Sequence, residues 1–186
     1  GRKDLSYNLF RSFYEGFFML KVAAKTFSVM EEKGAPGFNM TSSKVEHIEG
    51  PLKTTVILLE DGNYKACLIC PHMLAHTRYL YGNFQKVASD LTGLRPKYIF
   101  VFSSHNHSSA KLSNEPTKGF WGEGKTSGEL TRFGQRFFKE LSTALKSIRN
   151  NLKPVTIEWA VGSEKTIAYN RKGRRADGST YLMREE

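Results

Sequence analysis

The chemistry-bearing residues of this chain gather in one short stretch, Ser103-Ser104-His105-Asn106-His107-Ser108-Ser109. The chain has five histidines, and two of them stand here, two positions apart. In an extended segment, residues i and i+2 project to the same side. The pair can therefore serve one metal ion, or one a metal and the other a substrate. Imidazole suits zinc, and a neighbouring histidine can carry a proton. Without a metal, the same pattern reads as polar loop residues. The four serines include no nucleophile elbow of the G-x-S-x-G type. They read as groups that satisfy backbone and position the histidines.

An apolar run, Tyr98 to Phe102, leads into this stretch and reads as a short buried strand. Ligands of open α/β sheets bind beyond the carboxyl ends of the strands, which is where the histidines fall. Two more histidines, His72 and His76, follow another predicted strand, Lys65–Cys70, and share a face if a helix opens at Pro71. A metal site from His72, His76 and His105 is geometrically possible. A helix-cap neighbour and a surface residue are the plainer readings of the first two.

Other stretches carry weaker signals. Cys67 and Cys70 form C-x-x-C, but on a strand they face opposite sides, as buried apolar cysteines do. The run Arg171-Lys172-Gly173-Arg174-Arg175 reads as a solvated basic loop, or as Arg forks for a carboxylate or phosphate. Phe120 and Trp121, late in a polar loop, could be a lid over an apolar ligand or the loop's anchor. Asn39 and Asn106 each fit the glycosylation sequon, and at Asn106 a glycan would block the proposed site.

The elements that must position these residues follow from periodicity. Leu5, Leu9, Phe13 and Phe17 predict an amphipathic helix over 1–19. Leu20–Val29 reads as a strand, followed by a Gly/Pro loop. Thr54–Leu59 and Lys65–Cys70 read as a hairpin across Glu60-Asp61-Gly62-Asn63. Leu80, Phe84, Val87, Leu91 and Leu94 mark a helix ending near Gly93. Tyr98–Ser104 is the next strand, and the intervening helix argues for a parallel βαβ crossover. From Ser127 a long helix shows the strongest stripe, Leu130 to Leu152, stopped by Pro154. Thr156–Val161 reads as the last strand, and the tail Ala168–Glu186 shows no core pattern. The fold class is α/β: a mixed β-sheet with a hairpin and a parallel βαβ crossover, flanked by helices.

At 186 residues, one domain with a sizeable core is the expectation. A net charge of +10 favours anionic partners in general. The basic residues are scattered except near the C-terminus, so nucleic acid is not the favoured partner. No apolar stretch approaches the ~20 residues of a membrane span. Leu5–Leu20 is interrupted by Arg11 and Glu15, unlike a signal peptide.

The ordered set of motifs resembles the N-terminal domain of the neutral/alkaline, non-lysosomal ceramidase family. The set runs from the strand LKVAAKTFSV through the loop KGAPGFN and the hairpin VILLEDGNYKACLI. It continues with a helix ending in Thr92-Gly93-Leu94, the strand into His-x-His-Ser, a long helix, a strand ending in WAVG, and Tyr169-Asn170-Arg171. The similarity spans about residues 20–175 and implies a zinc-dependent amidohydrolase cleaving an amide (acyl) bond, possibly of a lipid.

By that resemblance His105 is a zinc ligand and His107 stands beside metal and substrate as a catalytic group. Asn170 and Arg171 line the substrate pocket. The chain departs from the family in having Ser109-Ala110 where Gly-Pro is usual. The family's remaining zinc ligands lie downstream of its Asn-Arg segment. Residues 1–186 are then the N-terminal part of a larger catalytic domain, a processed subunit, or a relative that has lost the full site. A downstream segment or second chain would complete the site around one zinc ion. The resemblance also implies a secreted or periplasmic protein. The alternative is a non-catalytic basic α/β domain binding an anionic ligand or nucleic acid, with structural histidines.

Overall fold

The computed structural model describes residues 19–37, 44–74, 78–114, 129–164, 166 and 172–182. The chain forms two compact units, residues 1–155 and 156–186. The helix expected over 1–19, His76, Phe120, Trp121, Asn170 and Arg171 lie outside the described residues, save Met19 at that helix's end.

The first unit is built on a five-stranded mixed sheet. Its strands are β1 (Lys21–Val29), β2 (Leu52–Asp61), β3 (Tyr64–Pro71), β4 (Ile99–Val101) and β5 (Lys153–Pro154), in the order β4-β3-β2-β1-β5. Strands β1, β2 and β3 pair antiparallel, with Asp61↔Tyr64 closing the tight turn. Gly62 takes a φ of 55° there, as the turn demands. The crossover from β3 to β4 gives the one parallel pair among the described residues, Cys67↔Ile99 to Ile69↔Val101. The crossover carries helix α1 (Arg78–Thr92), and α2 (Arg132–Ile148) follows β4.

The sheet buries alternate residues. Phe27, Val56, Cys67, Ile69, Ile99 and Val101 face the helices, whereas their neighbours face outward. Helix α1 contributes Leu80, Phe84 and Ala88, and α2 contributes Phe133, Phe137, Phe138, Leu141, Leu145 and Ile148. Phe137 is the hub, with its ring 5.4 Å from Phe27 and 5.8 Å from Phe84, both edge-on. Helix α2 begins at a capped end: Thr131 Oγ1 accepts the Gly134 N–H at 2.9 Å and donates to Lys111 O at 2.7 Å. The glycine at 134 is required, because a Cβ there would sit 2.0 Å from Leu112 O.

Several expectations need correction. Pro71 is the last residue of β3 and opens no helix; the described helix begins at Arg78. Tyr98 belongs to a 3-10 turn, Pro96–Tyr98, and the strand proper is Ile99–Val101. That strand is buried on one side only: Phe100 is 40% and Phe102 56% exposed, their rings stacked 6.4 Å apart. The helices described cover one face of the sheet, so alternate residues stay open. Residues 156–161 form no strand; the strand in this region is the short β5. Among the described residues Trp159 and Val161 find no apolar cover, at 82% and 86% exposure.

The second unit holds a hairpin of β6 (Lys172–Arg174) and β7 (Thr180–Leu182) where no pattern was expected. Gly178, with φ 83°, makes the turn, and its N–H donates to Arg175 O at 3.0 Å. The Arg175 guanidinium lies over the Tyr181 ring, 4.7 Å from its centroid. Among the described residues no helix is long and apolar enough to cross a membrane.

Candidate functional site

The parallel pairing of β3 and β4 outlasts the named strands. Phe102 N–H donates to Ile69 O at 2.9 Å, Ser104 N–H to Pro71 O at 3.2 Å, and Asn106 N–H to Met73 O at 3.2 Å. The register thus carries Met73, not His72, opposite His105. His72 sits in the bend after β3, its N–H donating to Lys53 O at 3.1 Å. It is therefore not on a helical face shared with His76. Among the described residues, no three His, Cys, Asp or Glu side chains are grouped to hold a metal.

His105 and His107 do come together. Their Nε2 atoms are 3.2 Å apart, and their rings meet edge-on with centroids 4.8 Å apart. The convergence does not come from an extended backbone. His105 has a φ of 62°, the left-handed region that a non-glycine residue enters at a cost. The kink turns the chain back so that the two rings face each other. Asn106 Oδ1 then accepts the Ser108 N–H at 2.8 Å, closing a local turn.

The tautomers follow from the partners. His105 Nδ1 lies 3.2 Å from Leu74 O, and a carbonyl only accepts, so Nδ1 carries the proton. In the neutral ring Nε2 of His105 then presents a lone pair. The Nε2 of His107 donates to it. A backbone carbonyl on the far nitrogen is also the usual outer support of a metal-ligating histidine.

The pair can be tested against zinc. Two nitrogens at ~2.0–2.1 Å from a tetrahedral zinc stand roughly 3.3 Å apart. The observed 3.2 Å fits two corners of such a site. The other corners are not supplied by the described residues.

Beside this loop a cavity of about 630 Å³ opens, its wall including Glu31, His47, His72, Asn106, Ser108 and Ser109. Glu31 was not singled out in the sequence. It is only 7% exposed and accepts the Ala110 N–H. Burial pushes its carboxyl above the ordinary value of 4.5, against the opposing pull of the Ala110 N–H and of His72. The signal was present as parity: Glu31 continues the inward set Phe27 and Val29 two residues on. The residues next to it anchor the same corner. Arg136 on α2 pairs with Glu32 and donates to Met30 O at 2.9 Å.

The two cysteines are free and split between faces. Cys67 is fully buried, which pushes its thiol up to about 12; Cys70 is half-buried and raised for the same reason. Neither is poised for redox or metal chemistry.

No family model matches this sequence, and no curated protein matches it. Among solved structures the chain is similar to a ceramidase complexed with C2. The TM-score is 0.51 at 11% identity, over 74% of this chain and 22% of that one. It is also similar to a neutral ceramidase from Pseudomonas aeruginosa, with a TM-score of 0.48 at 12% identity over the same shares. The first likeness shows a shared fold with part of a ceramidase. The chain spans less than a quarter of that protein's length.

Proposed function

We propose that this chain is the histidine-bearing α/β part of a zinc-dependent hydrolase of the ceramidase-like kind, cleaving an amide (acyl) bond. The observation that carries the reading is the His105–His107 pair. Two imidazole nitrogens converge to 3.2 Å beyond the carboxyl end of the parallel strand, one of them held by a backbone carbonyl. The fold shared with part of a ceramidase supports it.

When bound, a zinc ion would supply Lewis acidity toward the scissile carbonyl and a more acidic water. His105 would hold it through Nε2, with Nδ1–H kept on Leu74 O. His107, whose Nε2 stands 3.2 Å from that nitrogen, would give up its hydrogen bond to His105 when zinc binds and would hold a proton for the leaving nitrogen or bind the developing oxyanion. Asn170 and Arg171 are proposed to bind the polar end of the substrate. The remaining ligands would come from outside the described residues, from a downstream segment or a second chain. A lipid amide is one substrate this reading admits.

Elemental analysis of the purified protein, beside His105→Ala, tests the reading. Near-stoichiometric zinc that is absent from the variant, with hydrolysis of N-acyl amides lost in parallel, is the expected result. Full zinc and full activity in His105→Ala would refute it.

A second reading draws on the basic hairpin, where Lys172, Arg174 and Arg175 are exposed. They could bind an anionic ligand or nucleic acid. Binding to a polyanion that weakens steeply with salt would favour it, and no binding to heparin or single-stranded DNA at low salt would dismiss it.

A further inference from the structure

The loop bearing the histidine pair is held at both ends, and its far end rests on a carboxylate from 79 residues upstream. The entry is fixed by the hydrogen bonds to β3, the last from Asn106 N–H. The exit is fixed at Ala110, whose N–H donates to Glu31. Only His107, Ser108 and Ser109 lie between. Those three are further drawn in by Asn106, through Oδ1 to Ser108 N–H and through its carbonyl to Ser109 Oγ at 3.4 Å.

Glu31 is the one charged side chain among the buried described residues. A carboxylate in that position carries a desolvation cost that an apolar residue would avoid. Backbone contacts already tie the same two segments together: Gly37 bridges Ala110, and Lys111 N–H donates to Pro36 O at 2.8 Å. The carboxylate is thus not needed merely to join them. What it adds is a fixed acceptor for the Ala110 N–H, three residues after His107, which these backbone contacts leave for a side chain.

We propose that Glu31 is a positioning residue for the His105–His107 pair. Its carboxylate, acting through the Ala110 N–H, sets where the His107 ring stands against His105. The significance of this role rests on the zinc-hydrolase reading, whereas the geometry is independent of it.

The test uses the full chain, labelled with ¹⁵N, at one fixed mildly alkaline pH. Three proteins are compared: wild type, Glu31→Gln, which keeps an accepting oxygen, and Glu31→Leu, which removes it at similar size. Long-range ¹H–¹⁵N spectra read the ring tautomers, and titration with zinc alone reads affinity. The wild type is expected to show His105 protonated at Nδ1 and His107 at Nε2. Glu31→Gln should keep that pattern and its zinc affinity. Glu31→Leu should lose the pattern and bind zinc at least about tenfold more weakly, a factor worth about 1.4 kcal/mol.

An unchanged pattern and affinity in Glu31→Leu would overturn the proposal. So would an equal loss in Glu31→Gln. Should Glu31→Leu fail to fold, the Ala110 amide of the wild type decides: slow hydrogen exchange supports the role, and fast exchange overturns it. A wild type that binds no zinc, yet whose tautomers answer to Glu31→Leu, would sink the metal reading and leave this inference standing. Zinc binding that ignores both substitutions would do the reverse.

Discussion

Glycine to alanine in a helix is ordinarily stabilising, by roughly 0.8–1 kcal/mol. Gly134 should invert that sign. A Cβ at this position would lie 2.0 Å from Leu112 O, 2.9 Å from its carbonyl carbon and 3.1 Å from its Cα. These are backbone atoms, and Leu112 O already accepts the Thr131 N–H at 2.9 Å. Relief needs a shift of about 1 Å between the first turn of α2 and residues 111–113, weakening the Thr131 cap. Overpacking of this kind costs ~1–3 kcal/mol, and a weakened hydrogen bond ~1 kcal/mol more. Set against the propensity gain, Gly134→Ala should lose about 1–3 kcal/mol. Gly82 in α1 is the control: nothing lies within 4 Å of its would-be Cβ. Gly82→Ala should gain about 0.5–1 kcal/mol. At ~2–4 °C per kcal/mol for a domain of this size, the melting temperature falls by about 2–12 °C in the first and rises by about 1–4 °C in the second. Thermal melts followed by circular dichroism, with urea titrations for the free energies, read both. A Gly134→Ala protein as stable as Gly82→Ala would refute the packing argument.

Glu31→Gln should alter how stability depends on pH. Burial raises the Glu31 pKa above 4.5, so its contribution to stability is fully present below 4.5 and is lost as pH rises through the raised value. Replacing it should flatten the urea-derived stability profile above pH 4.5 and leave the variant no less stable at pH 7; an unchanged profile would count against a raised pKa. Iodoacetamide labelling read by mass spectrometry should modify Cys70 before Cys67 in the native protein, since Cys67 is buried with a thiol near 12, and both only after denaturation. Thr131→Val, which keeps shape and removes the cap, should cost about 1–2 kcal/mol in urea, and Thr131→Ser should restore most of it.

What could be read from the sequence was what period and turn chemistry encode. The stripe of α2 and the Asp61-Gly62-Asn63 turn were visible because each uses a repeated or sterically demanding choice. The strand running into the histidines was visible because an apolar run stops at a polar one. The run Thr156–Val161 misled, because β-forming residues record a capacity to pair and name no partner. The hairpin β6–β7 was missed because strands of three residues have no measurable period; Asp177-Gly178 was its only mark. At the candidate site the stretch was legible and its geometry was not. The facing of His105 and His107 depends on a backbone kink at φ 62° and on Leu74, 31 residues away. Glu31 was hidden for a related reason: its partner is a backbone N–H, which any residue carries.

The continuation of the β3–β4 ladder to Asn106 has an entropic consequence. A flexible loop would have to surrender roughly 1–2 kcal/mol of backbone freedom for each residue it orders around a ligand. Here Phe102 and Ser104 are already hydrogen-bonded to the neighbouring strand and Asn106 to Met73 just past its end, so that loss is incurred on folding. A ligand meeting the two imidazoles would find them pre-organised, and its affinity would reflect contact chemistry with little ordering cost.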